Sequence, residues 1–144
     1  MEEDVRISWK DDILYTNGHP SGKLLTEGSR DYLLVHYSNY HPDGGQVFFP
    51  LPGGRPYVML LAAAAVGDDI RPEHFRAFHF DGSVGFHIAP GVWHWAPYIQ
   101  PPSRSGDEAE MTFRNKQGSV FACVAVDTLD EFGVFLKVPL SLDA

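Results

Sequence analysis

Short apolar runs separated by turn-forming residues make up most of the 144-residue chain. In segment 75–80 (FRAFHF), Phe75, Ala77 and His79 fall on one face and the intervening residues on the other, which is the period of a β-strand. Asn17-Gly18 predicts a tight turn. Similar runs predict about eight or nine strands, at residues 13–15, 31–37, 46–51, 57–61, 75–80, 85–88, 92–95, 120–126 and 134–138. Short strands at this regular spacing predict an all-β sandwich or barrel.

Three connecting segments can be interpreted from the same pattern. Pro52-Gly53-Gly54 separates two predicted strands and is interpreted as a hairpin turn. Residues 100–118 are polar, charged and rich in Pro and Gly, which indicates a long surface loop. That loop is either a lid over a binding site or a disordered insertion. Residues 62–65 either begin a helix or end a buried strand.

Composition and charge narrow the class of protein. Apolar residues make up 44% of the chain and charged residues 21%, as in soluble globular proteins, and no apolar run approaches the length of a membrane span. The acidic start differs from a targeting segment, and a lone Cys123 cannot form an internal disulfide, so we expect a cytoplasmic protein. A net charge of -8 argues against nucleic-acid or membrane partners. We expect one domain, 1–144, that acts on a small molecule.

Histidine is concentrated beside glycine and proline in two segments, 39–53 and 85–94. A metal site needs several donors that converge from separate strands, and His41, Gln46, His87 and His94 could supply them. A single histidine in an apolar strand is more often a hydrogen-bonded core residue than a ligand. The spacing of the donors across the two segments is what favours a site.

That spacing resembles the cupin superfamily. The first cupin motif is histidine, any residue, histidine, four residues, glutamate, six residues and glycine. Asn39, His41, Gln46 and Gly53 stand at these intervals, with Asn in place of the first His and Gln in place of Glu. The second motif, a Pro-Gly turn shortly before a histidine, is matched by residues 90–94 (PGVWH).

The cupin resemblance implies a fold, an assembly and a metal. The implied fold is a single-domain jelly-roll β-sandwich or barrel, and the implied assembly is a homodimer. The implied ligands of a divalent metal are His41, Gln46 and His94. Imidazole ligands favour nickel, zinc or iron over calcium or magnesium. No organic cofactor is expected.

Within the cupins, the chain is similar to the ureidoglycolate lyase family over residues 40–127. Segment 41–50 (HPDGGQVFFP), the valine and alanine run at 58–66, and Gly91-Val92-Trp93-His94 stand in the same order as in that family. The chain departs from the family at Trp95, where the family has a second histidine. It also has a longer polar segment at 100–118.

The family resemblance implies a lyase of purine catabolism that converts ureidoglycolate to glyoxylate and urea. The reaction requires a base, an acid and a positive anchor for the carboxylate. We interpret His87 or Tyr40 as the catalytic acid. Arginine binds carboxylates through two parallel hydrogen bonds, and tyrosine supplies a further polar group. The candidate substrate-binding residues are Arg55, Arg76, Tyr98 and Arg104.

Two other functions fit the sequence. One is a different metal-dependent cupin enzyme, an isomerase or an oxygenase acting on a small organic acid. The other is a non-catalytic binder that keeps the barrel without the full ligand set, which Asn39 and Gln46 favour. Trp93 and Trp95 alternate with His94, so we expect both rings to pack away from it.

Overall fold

A computed structural model describes residues 2–103, 107–118 and 122–141. Just over half of the chain is β-strand. The strands are β1 (Glu2–Lys10), β2 (Ile13–Thr16), β3 (His19–Glu27), β4 (Arg30–Val35), β5 (Tyr37–Tyr40), β6 (Gln46–Pro50), β7 (Tyr57–Leu61), β8 (Arg76–Phe80), β9 (Phe86–Ile88), β10 (Tyr98–Ile99), β11 (Ala109–Gln117), β12 (Val124–Asp127) and β13 (Leu136–Pro139). Two 3-10 helices (Ala64–Asp69 and Pro72–His74) and α1 (Thr128–Phe132) connect them.

Eight strands form one curved sheet in the order β13-β4-β3-β2-β1-β11-β6-β9. Its centre is the antiparallel pair of β1 and β11, in register from Glu2 opposite Lys116 to Trp9 opposite Ala109. Both strands alternate buried and outward residues, because successive side chains of a strand point to opposite faces. The inner face carries the core residues Val5, Ile7, Trp9, Ala109, Met111 and Phe113.

The opposite layer is made of smaller sheets, β10-β7-β8 and β12-β5. Segment 93–94 joins them through isolated antiparallel bridges, from Trp93 to Ala62 after β7 and from His94 to Asn39 in β5. Side chains of the two layers meet in the core, where the ring of Tyr57 packs edge-on against Phe113 at 4.9 Å between centroids. The predicted all-β, cupin-type barrel is therefore confirmed.

The Pro52-Gly53-Gly54 turn is not a hairpin, contrary to the prediction. β6 pairs with β11 and β9, whereas β7 pairs with β10 and β8. Because both edges of β6 are already occupied, the chain leaves the large sheet at this turn and enters the opposite layer. Gly53 has a φ of 92°, a left-handed conformation that glycine adopts without strain.

The interpretation of residues 100–118 as a loop is wrong over residues 109–117, which form β11 in the middle of the large sheet. The charged residues Glu110 and Lys116 that indicated a loop lie on the outer face, and their neighbours in sequence are buried. A lid or a disordered insertion is therefore excluded for this part. Residues 104–106 of the same segment lie outside the described residues, as do residues 120 and 121 of the predicted strand 120–126.

Residues 62–65 combine parts of both interpretations. Ala62 extends the pairing beyond β7 through its bridge to Trp93, and a 3-10 helix begins at Ala64. Within the described part of the chain, no helix has the length and apolar character needed to cross a membrane.

Candidate functional site

A cavity of about 240 Å³ lies where the inner face of the large sheet changes from apolar to polar. Its walls include Val5 of β1 and Phe48 of β6 on the apolar side. Glu3 and Gln46 lie further along those two strands, and Asn115 lies on β11 between them. Strand register brings these polar side chains together, because Asn115 pairs with both Glu3 and Phe48, and Gln46 pairs with Gln117. The full lining is Glu3, Val5, Asn17, Asn39, His41, Gln46, Phe48, His94, Trp95, Ala96, Asn115 and Gln117.

The opposite wall of the cavity is built around a backbone pair, Asn39 and His94. The two residues exchange both backbone hydrogen bonds, with N···O distances of 2.9 and 2.8 Å. Residues paired in this way present their side chains on the same face of the sheet. His41 follows Asn39 by two residues, and its ring centroid lies 5.5 Å from that of His94.

His94 is a neutral imidazole in a fixed orientation. Burial, with a smaller effect of His41, lowers the pKa of His94 to about 4, so its ring carries one N–H at neutral pH. Nδ1 lies 2.9 Å from the carbonyl oxygen of Val92, which can only accept a hydrogen bond. Nε2 lies 2.8 Å from Gln46 Oε1, which also can only accept, so the single N–H of the neutral ring can serve one of these two oxygens. With the proton on Nδ1, Nε2 presents a lone pair to the cavity.

A chain of hydrogen bonds fixes the amide that faces this lone pair. The Glu3 carboxylate accepts from Asn115 Nδ2 at 3.3 Å, so Asn115 turns its Oδ1 toward Gln46. Gln46 Nε2 donates to that oxygen at 2.9 Å. Gln46 Oε1 is thereby directed at His94 Nε2, 2.8 Å away. The acceptor-only carboxylate at one end thus determines the direction of the whole chain.

In the tautomer with Nδ1 protonated, His94 Nε2 and Gln46 Oε1 are two electron-pair donors that face each other without a proton between them. Such an arrangement is unfavourable by itself and becomes favourable when a positively charged group binds both atoms. The His41 ring lies beside that of His94, with its Nδ1 3.3 Å from the carbonyl oxygen of Ala122, so two imidazoles and one amide oxygen line this part of the cavity. In the described part of the chain there is no cluster of three or more His, Cys, Asp or Glu. Imidazole nitrogens and an amide oxygen are ligands that suit nickel, zinc or iron better than calcium or magnesium, which prefer several carboxylates.

The structure brings the three predicted metal ligands together and leaves both predicted acids outside the cavity. His87 is exposed on the outer face of β9, opposite Val47, whereas its neighbour Ile88 points inward beside Gln46. The Tyr40 hydroxyl donates to Asp68 Oδ1 at 2.6 Å. This hydrogen bond, with smaller effects of desolvation and the charge of Asp68, raises the pKa of Tyr40. Neither residue is placed to protonate a ligand in the cavity.

The predicted substrate-binding residues also lie away from the cavity, as far as they are described. Arg76 donates to the carbonyl oxygens of Glu73 and Phe75, at 2.6 and 2.9 Å. Arg55 follows β6 at the end opposite Gln46. Tyr98 is fully buried in β10, and burial raises its pKa. Arg104 lies outside the described residues.

Sequence reasoning missed Glu3, Asn115 and Gln117 as lining residues. The alternation of buried and polar positions along residues 109–117 was the signal that identifies Asn115 as inward-facing. Trp95 also differs from its prediction, because its ring lines the cavity and packs edge-on against Tyr37. Trp93 packs away from the cavity as predicted, and its Nε1 donates to the carbonyl oxygen of Gly67 at 3.0 Å.

Comparisons with known proteins point to one family. The family model described as ureidoglycolate lyase matches residues 24–100. A ureidoglycolate lyase of Stutzerimonas stutzeri is 39% identical over 62 residues, which cover 43% of this chain and 35% of that protein. One from Pseudomonas savastanoi is 44% identical over 62 residues, covering 43% of this chain and 35% of that protein.

A third ureidoglycolate lyase, from Burkholderia cepacia, is 41% identical over 54 residues, which cover 38% of this chain and 29% of that protein. The chain thus spans about a third of the length of the curated relatives that it matches. The matched region of the family model contains Asn39, His41, Gln46 and His94, and it excludes β1 and β11.

Proposed function

The chain belongs to the ureidoglycolate lyase family, and on this premise we propose that its cavity binds ureidoglycolate and cleaves it to glyoxylate and urea. The observation that carries the proposal is the convergence of His41, Gln46 and His94, distant in sequence, on one cavity. The cavity volume of about 240 Å³ suits a small acid. Drug-sized ligands usually occupy about 300–1,000 Å³.

We further propose that a divalent ion such as nickel, zinc or iron is held by His41, Gln46 and His94. Bound there, the ion would supply the Lewis acidity that attracts a carboxylate and lowers the pKa of a neighbouring hydroxyl. Val92 orients the His94 ring and Asn115 orients the Gln46 amide, so the chain holds the donors in position beforehand. Of the described residues that line the cavity, none is Lys or Arg, so the ion would also supply the positive charge.

Cleavage requires the transfer of one proton. The hydroxyl oxygen loses a proton, the carbon–nitrogen bond breaks, the carbonyl of glyoxylate forms, and the departing ureido nitrogen gains a proton. Glu3 is the one carboxylate among the described residues that line the cavity. We therefore assign Glu3 to accept the hydroxyl proton and to return it to the leaving nitrogen. This assignment replaces His87 and Tyr40, which lie outside the cavity.

The test compares His94→Ala with His87→Ala in the purified full chain supplied with nickel, zinc or ferrous ion. We expect His94→Ala to lose both stoichiometric metal and ureidoglycolate turnover, because one of the two facing donors is removed. His87→Ala is the matched control, since its ring is exposed on the outer face, and it should retain both properties. Absence of turnover by the wild type with all three ions would refute the lyase proposal. Full metal retention by His94→Ala would refute the proposed ligands.

A non-catalytic binder is the second candidate, favoured by the neutral amides at positions 39 and 46. Its signature would be tight binding of the small acid without turnover or bound metal. An isomerase would instead rearrange the acid, and an oxygenase would consume oxygen. The single domain, the homodimer and the cytoplasmic location implied by the sequence stay predictions. Analytical ultracentrifugation of the full chain measures the oligomeric state.

A further inference from the structure

Asn39 lines the cavity, and its side chain carries an acceptor without a partner. Asn39 is only 8% exposed, and its Oδ1 has no hydrogen-bond partner among the described residues. Native proteins rarely bury such an atom, because the lost hydration is not recovered. An unpaired acceptor at a cavity wall is therefore available to a donor that arrives with a ligand.

The backbone around Asn39 fixes the face of the sheet on which its side chain lies. Its N–H and C=O are bound to His94, and Ala125 of β12 pairs with it on the other side of β5. The paired geometry holds the side chain on the cavity face next to the His94 ring.

The neighbouring polar groups are already engaged with one another. Gln46 Nε2 donates to Asn115, and Asn115 Nδ2 donates to Glu3. His94 Nδ1–H is directed to Val92, and the Ser38 hydroxyl donates to the carbonyl oxygen of His94. None of these donors is directed at Asn39 Oδ1, so this oxygen is available to a donor carried by the occupant of the cavity.

We propose that Asn39 Oδ1 accepts a hydrogen bond from an N–H of the ligand and thereby selects a ureido acid over a simple hydroxy acid. The choice of ureido acid as the ligand rests on the proposed function. Its carboxylate and hydroxyl are assigned to the side of the cavity formed by His94 and Gln46, which leaves the ureido N–H groups for Asn39. A site with a buried acceptor strongly rejects an analogue that lacks the matching donor. Asn39 is accordingly a specificity-determining residue.

Two probes that are not cleaved separate the N–H contact from the rest of the site. N-carbamoylglycine carries the carboxylate and the ureido group but no hydroxyl, and glycolate carries the carboxylate and hydroxyl but no N–H. Their dissociation constants are measured by titration calorimetry on the full chain with nickel. Asn39→Leu keeps the branched shape and removes the acceptor, whereas Asn39→Asp keeps an acceptor oxygen. Metal content and melting temperature are recorded for each variant.

In Asn39→Leu we expect affinity for N-carbamoylglycine to fall about tenfold to a hundredfold, with less than a twofold change for glycolate. Asn39→Asp should retain the preference for N-carbamoylglycine over glycolate. An equal loss for both probes in Asn39→Leu would overturn the inference. So would a loss of metal from that variant, because Oδ1 would then belong to the ion.

Ureidoglycolate turnover by the wild type distinguishes this inference from the proposed function. A wild type without turnover but with an Asn39-dependent preference would support the N–H contact and refute the lyase. Turnover accompanied by the same probe preference in wild type and Asn39→Leu would refute the N–H contact alone.

Discussion

Replacing Glu3 with Gln tests whether the hydrogen-bond chain directs Gln46 Oε1 toward His94. The Glu3 carboxylate can only accept, which keeps Asn115 Nδ2 toward it and Gln46 Oε1 toward His94. A glutamine at this position can donate instead. The direction of each hydrogen bond in this series can then reverse, so that Gln46 Nε2 donates to the lone pair on His94 Nε2. The metal-free protein would gain a hydrogen bond at the expense of a metal ligand.

The expected change in metal affinity depends on the longest hydrogen bond of the series, from Asn115 to Glu3. Relieving an unsatisfied buried group is worth about 1–3 kcal/mol. The Asn115–Glu3 bond is long at 3.3 Å and Glu3 is exposed, so the lower end of the range applies. About 1 kcal/mol corresponds to an approximately fivefold weaker metal affinity. The same change should raise the free energy of unfolding of the metal-free protein.

Nickel titration by calorimetry measures the affinity, and urea denaturation of the metal-free protein measures the stability. Glu110→Gln is the matched control, because it makes the same charge change near the other end of the β1–β11 pair, where Glu110 faces Arg6 at 3.7 Å. We expect nickel affinity in that variant to stay within a factor of two of the wild type. Unchanged or tighter nickel binding in Glu3→Gln would refute the direction assigned to the chain.

Two predictions concern the scaffold. Phe113→Ala should lower the free energy of unfolding by about 3–5 kcal/mol in urea denaturation, because Phe113 is fully buried against Tyr57. The control is Val84→Ala, at an exposed position, which should change the free energy of unfolding by less than about 0.5 kcal/mol. Asp127→Ala should cost about 1 kcal/mol at pH 7, because Asp127 caps α1 by accepting from two backbone N–H groups. Although desolvation acts to raise the Asp127 pKa, hydrogen bonds from His36 and the cap hold it below 3.8. The stabilisation by the Asp127 carboxylate is therefore fully present above pH 3.8 and is lost as the pH falls through the lowered pKa. The difference in melting temperature between the wild type and Asp127→Ala should accordingly be smaller at pH 3 than at pH 7. An equal difference at both pH values would contradict the contribution of the charge.

Much of the fold is encoded locally and could be predicted. Segments 46–51, 57–61 and 75–80 contain contiguous or alternating apolar residues between turn signals, and each became a strand. The strand at 109–117 is not predicted from the sequence, because charged and polar residues dominate the composition of that segment. In a strand at the centre of a sheet, every second side chain still faces solvent, so charge and burial alternate.

The site was only partly predictable, because membership depends on which face of a strand each residue occupies. The motif spacing placed His41, Gln46 and His94 correctly, since those intervals reflect strand register. Each of the two predicted acids lies one position away from a residue that faces inward. Tyr40 follows the inward Asn39, and His87 precedes the inward Ile88. Neighbours in a strand point to opposite faces, so a chemically suitable residue one position away is excluded from the cavity.

The charge of the cavity lining relates the proposed metal ion to the proposed anionic substrate. The chain carries a net charge of -8, and the cavity wall offers two imidazoles, several amides and the Glu3 carboxylate. An anionic substrate meets no cationic side chain among the described lining residues. Near a protein surface, two unit charges 4 Å apart interact by about 4 kcal/mol, so a carboxylate next to Glu3 without a compensating cation would be repelled. The divalent ion that we propose at His41, Gln46 and His94 would reverse the sign of that interaction. The same ion would then attract the substrate carboxylate and bind the two facing atoms, His94 Nε2 and Gln46 Oε1.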